Sequence, residues 1–173
     1  MARRAHEPTW HLDPNAAESF ARFCAPVALA ALTGAAPLEA AQMLLAAPEV
    51  LHPHFGGVRA DTWHQWLRRE LDGIAVDVAH PDGHQRWREA QAREDGRWDA
   101  GYEYSRPRIR GASWAAAHRY TTAQFLTTHP QGAYVLSVNG HTFLVRDGRV
   151  AADSLSQSMM RARVRTATFF PGA

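Results

Sequence analysis

The chain has 173 residues, 46% of them hydrophobic, which is the size of one compact domain with an ordinary core and not of a disulfide-stapled mini-protein or a multidomain enzyme. Aromatic residues at 10% and charged residues at 21% exclude global disorder, and nowhere do about eighteen apolar residues run together as a membrane span requires. All 19 basic residues are arginine and 17 acids stand against them, giving a net charge of +2, too slight to diagnose nucleic-acid binding.

The single cysteine, Cys24, excludes an intrachain disulfide and a cysteine-based zinc site. Residues 1–12 read as an N-terminal arm. Its first residues are basic but no apolar run follows, so no secretory signal is expected and the sequence reads as cytoplasmic.

Asp13-Pro14 reads as the cap and first residue of a short helix reaching about Arg22. From Cys24 to Gly34 there is no charge, so a helix here is apolar on every side and belongs in the core, with Gly34 as its stop. Pro26 is tolerated only in a first turn, which places Cys24 at or just before the helix N-terminus. A third helix is expected over Pro37 to Ala46. A fourth, capped by Asp61, carries Trp63, Trp66, Leu67 and Leu71 at core-facing spacing and ends near Gly73.

Ile74 to Ala79 alternates as a strand. Residues 80–100 are polar and rich in Arg, Asp and Gly, a surface excursion in which Gln85 to Arg93 could form a helix packing Trp87. Thr121-Thr122-Ala123-Gln124 starts a short helix with a capping box. Strands at Tyr134 to Val138, His141 to Arg146 and Arg149 to Ser154 are separated by Asn139-Gly140 and Asp147-Gly148, two tight turns that imply an antiparallel meander. Ala162 to Phe170 supplies a further strand. Helices first and antiparallel strands last make this an α+β domain, with N-terminal helices packed on a C-terminal sheet.

A lone cysteine is ordinarily a small buried hydrophobe. At a helix N-terminus, however, the macrodipole stabilises negative charge and lowers a thiol pKa. A nucleophile also needs a base, and His141 opens a strand just after a turn, where a side chain can project from a sheet edge toward a helix end. Asp153 is the natural group to orient it. A strict two-residue loop at Asp147-Gly148 places His141 opposite Ser154 and turns Asp153 to the other face; a three-residue loop with a bulge pairs Val145 with Arg149 and sets His141 opposite Asp153. The triad reading requires the bulged loop.

At these residues the sequence resembles the papain-like cysteine peptidases, most closely the bacteriocin-processing branch and short phage-type relatives. Cys24-Ala25-Pro26-Val27-Ala28-Leu29-Ala30 is similar to that branch's Cys, small residue, Pro and apolar helix. Gly140-His141-Thr142-Phe143-Leu144-Val145, followed by Asp147-Gly148 and Asp153, is similar to its Gly-His-apolar strand and downstream Asp. The resemblance reaches from about Asn15 to Ser154 with a weakly matched middle. It implies a papain-like fold in which Cys24 attacks a carbonyl, His141 shuttles the proton and Asp153 orients His141. Where the family carries an oxyanion-hole Gln, six residues before the nucleophile, this chain has Glu18, and Asn15 or Ser19 are the candidate replacement donors.

Other features have alternative readings. His52-Pro53-His54 and His80 to His84 sit near Pro and Gly, in loops without a third ligand, so no metal site is expected. Arg106, Arg108, Arg110 and Arg161, Arg163, Arg165 each place three guanidinium groups on one face of an extended segment, a possible polyanion stripe or a charged, solvated strand face. The tryptophans read as core and groove walls.

The expected function is hydrolysis of a peptide or isopeptide-type amide by Cys-His-Asp acyl transfer, with a peptide or protein substrate, no cofactor, and neither nucleic acid nor membrane as partner. The alternative is a catalytically inactive papain-like domain that serves as a structural or interaction module with a protein partner in an assembly, virion-associated if of phage origin. A third class, polyanion binding by the arginine stripes, predicts affinity that collapses with salt.

Overall fold

The computed structural model describes residues 16–51, 57–80, 119–152 and 157–173. Four helices come first: α1 (Ala16–Phe20), α2 (Cys24–Thr33), α3 (Pro37–Leu45) and, after a 3₁₀ turn at Pro48–Val50, α4 (Ala60–Glu70). Strand β1 (Ile74–Val76) follows, then α5 (Thr122–Thr128), β2 (Ala133–Val138), β3 (His141–Arg146), β4 (Arg149–Ala152), α6 (Gln157–Arg161) and β5 (Thr166–Phe170). The mixture of helices with one antiparallel sheet is α+β. Among the described residues no single helix is long and apolar enough to cross a membrane.

The charge-free stretch forms α2, and Gly34 stops it in the left-handed conformation (φ 76°), its N–H returning to the Ala30 carbonyl at 2.8 Å. Thr121 caps α5 with both halves of the capping box in place: its side chain accepts the Gln124 N–H, and the Gln124 side chain accepts the Thr121 N–H. Asp61 does not cap α4. The cap is Arg59, so the helix begins two residues earlier than a cap at Asp61 would give, and Asp61 stands in its first turn, where a carboxylate still complements the dipole.

The strand order is β1-β5-β2-β3-β4, so the last strand inserts between the first and the meander. The N-terminal helices α1 to α4 pack on one face of the sheet, and α5 packs on the other. Alternation along each strand divides the core. Ala133, Val135, Leu144 and Phe170 pack with the apolar sides of α1 to α4, while Tyr134, Leu136, Val138, Phe143, Val145 and Ala167 pack with Tyr120, Phe125 of α5 and Val164. Helix α2 lies along β3 and reaches β4, and α4 lies on β5.

The strand expected over Ala162 to Phe170 starts only at Thr166, because Gln157–Arg161 is helical and the linking residues pair elsewhere: the Val164 N–H bonds the Tyr120 carbonyl and the Arg165 N–H the Ser137 carbonyl. The β3–β4 hairpin also differs from the form the triad reading required. Asp147 (φ 49°) and Gly148 (φ 70°) are both left-handed and close a two-residue turn with Arg146 opposite Arg149, since that turn matches the right-handed strand twist. The irregularity lies between Leu144 and Val145: Val145 pairs with Val150 but Leu144 with Ala152, so β4 carries one extra residue there.

Candidate active site

Cys24 is the first residue of α2. Phe23 before it is extended (φ −78°, ψ 158°) and its carbonyl accepts the Val27 N–H at 3.2 Å, which starts the helix. The Cys24 side chain is half-buried at the positive end of the helix dipole, where first-turn amides have no acceptor within the helix. That environment favours thiolate. Phe23 beside it is 43% exposed and lies 5.8 Å, ring centre to ring centre, from Phe20.

His141 is the first residue of β3, set there by the turn in which Asn139 (φ 42°) and Gly140 (φ 78°) are both left-handed and Val138 faces His141. Its ring lies 5.9 Å from that of Phe143, and its Nε2 is shielded from solvent. Helix α2 packs on the strand that His141 opens, but from the Leu144 side, whereas His141 shares the alternation of Phe143 and Val145. The His141 ring therefore lies on the face of the sheet opposite the one that α2 covers.

Glu18 and Ser19 lie on α1, both exposed. Asp153, Asn15, Arg106, Arg108 and Arg110 lie outside the described residues, as do His52, His54 and His84. The second arginine triplet is not a stripe on one strand. Arg161 ends α6, Arg163 donates from Nη1 to the Arg119 carbonyl at 2.7 Å, and Arg165 precedes β5. Among the described residues no three His, Cys, Asp or Glu side chains converge as metal ligands.

One polar constellation was not singled out by sequence. His64 of α4 is fully buried, with Nδ1 at 2.7 Å from Thr168 Oγ1 and Nε2 at 2.9 Å from Ser137 Oγ, and Ser137 Oγ lies 2.8 Å from Thr142 Oγ1. A serine hydroxyl on a histidine nitrogen has the composition of a nucleophile–base pair. Yet Ser137 is 3% and Thr142 4% exposed, so no substrate carbonyl can reach the hydroxyl, and the group is structural. Burial, and after it the field of Arg68, pushes the His64 pKa down to about 3, so the ring is neutral at physiological pH.

No family model, no curated protein and no solved structure matches the chain. The residues and their geometry carry the functional reading alone.

Proposed function

We propose that the chain is a papain-like cysteine hydrolase that cleaves a peptide or isopeptide-type amide through a thioester on Cys24. The observation that carries this reading is the pairing of two element starts: Cys24 begins a buried helix, and that helix lies along the strand His141 begins. In the proposed cycle His141 takes the thiol proton and the sulfur attacks the carbonyl carbon. The proton then passes to the leaving amine, the C–N bond breaks, and water hydrolyses the thioester with His141 again as base. In the proposed cycle the first-turn amides of α2, beginning with the Cys24 N–H, are the donors that would meet the oxyanion. The two-residue Asp147-Gly148 turn is not the form that would set Asp153 opposite His141, so the cycle assigns no residue to orient the imidazole.

A specific observation favours a second reading, a non-catalytic papain-like module serving a structural or binding role. Alternation in β3 sends the His141 ring to the side away from α2, and Glu18 stands exposed where the resembled family has an amide donor.

The rate of iodoacetamide alkylation as a function of pH separates the two, and with one cysteine in the chain the signal belongs to Cys24. Compared in the parent and in His141→Ala, a hydrolase gives an apparent thiol pKa below the ordinary value of about 8.5 that rises when the imidazole is removed. A thiol indifferent to His141 removes the hydrolase and leaves the module.

A further inference from the structure

We propose that His64 is an acid-sensitive latch that holds α4 on the sheet while its imidazole is neutral and releases α4 when the ring is protonated. Both ring nitrogens are engaged by hydroxyls from two strands, Thr168 of β5 and Ser137 of β2, and Ser137 passes the connection on to Thr142 of β3. A neutral imidazole offers one donor and one acceptor, and hydroxyls can answer both. An imidazolium offers two donors and a charge, and among the described residues its partners are hydroxyls and its charged neighbour is the cation Arg68, so no carboxylate is seen to answer the charge.

The groups facing it make this specific. On α4 the charged neighbour is Arg68, which opposes protonation. Strand β5 carries no titratable side chain. On β2 the titratable residue is Tyr134, which belongs to the opposite face, as does His141 at the start of β3, while Arg146 at the end of β3 is exposed. Asp61, Arg69 and Glu70 of α4 are exposed, and Arg69 is engaged by Glu49 of the 3₁₀ turn and by Glu70. The Glu49 carboxyl is held below the usual range by its own backbone N–H and then by Arg69, with which it pairs at 2.9 Å. Trp63 and Trp66, stacked at 5.5 Å beside His64 in the sequence of α4, leave the core with it.

Hydrogen exchange of the α4 amides between about pH 6 and pH 4.5, corrected for intrinsic rates, tests the latch in the parent and in His64→Gln, whose amide meets the same hydroxyls without titrating. One proton taken up on opening makes α4 protection fall toward about tenfold per pH unit in the parent, while α5 stays protected and the variant is flat. Equal slopes in parent and variant, or α5 protection lost in step with α4, overturn the proposal. Should the variant not fold, the imidazole resonances of the parent decide: His64 held neutral in one tautomer wherever α4 is protected supports the latch, and a ring that protonates near pH 6.5 with α4 still protected refutes it.

Discussion

At the scale of single residues the His64 group sets two expectations. Ser137 Oγ serves both His64 and Thr142, so Ser137→Ala strands two buried polar groups at once. The loss is expected at about 1–3 kcal/mol by urea denaturation, more than removal of one hydroxyl from an ordinary site. The second expectation is pH dependence. The folded pKa of His64 lies below its unfolded value, so the unfolded chain binds the extra proton and stability falls as pH drops from about 6.5 toward 3, by at most about 1.4 kcal/mol per pH unit. Above that range the contribution is complete. Urea midpoints at about pH 7 and pH 5, for parent and His64→Gln, check it: the difference between the two chains must shrink or change sign on acidification. None of this was legible in the sequence. The helical period marked Trp63, Trp66 and Leu67 as core, but His64 meets partners 73 and 104 positions away, and period alone cannot say that a polar residue between two tryptophans has hydroxyls waiting for it.

At the scale of elements, legibility followed local chemistry. The limits of α2 were written in Pro26 and Gly34, and the start of α5 in the Thr121–Gln124 box. Replacing Thr121 by Ala should cost about 1 kcal/mol in thermal or urea unfolding, since it removes the hydroxyl that accepts the Gln124 N–H while the backbone N–H at 121 keeps its bond to the Gln124 side chain, and Thr121→Ser should recover most of it. The tight turns were legible for the same reason, and Asp147 does more than turn the chain: its carboxylate accepts the Gly132 N–H at 3.0 Å and its N–H bonds the Gly132 carbonyl at 3.0 Å. Gly132 itself (φ 90°) has no room for a side chain, because a Cβ would stand 2.6 Å from the Phe169 ring. Gly132→Ala is therefore expected to destabilise by about 1–3 kcal/mol, combining a strained backbone with overpacking. The bulge between Leu144 and Val145 left no sequence signal, because Val150, Ala151 and Ala152 are small or apolar and suit either register. The start of β5 was misplaced because Ala162 to Arg165 alternates like a strand while its amides bond to three different segments.

At the scale of the whole molecule, one sheet serves as the wall between two cores, and the candidate site belongs to both. Cys24 and His141 were legible as element starts, but the side from which α2 meets β3 was not, because Phe143, Leu144 and Val145 make both faces of that strand apolar. The lone thiol can report how independent the two cores are. Leu144→Ala removes a fully buried side chain from the α2 side and Phe125→Ala one from the α5 side, each at about 2–5 kcal/mol. Alkylation of Cys24 near pH 9, where an ordinary thiol is ionised, then measures access and not pKa. If the sheet separates two cores that open independently, Leu144→Ala raises the alkylation rate more than Phe125→Ala does at matched loss of stability, because only the first cavity lies under the helix that carries Cys24. Equal increases would mean that the thiol is reached only through global unfolding. A protein of that kind would hold α4 and α5 to a common fate, leaving no room for a latch at His64 that opens one side alone.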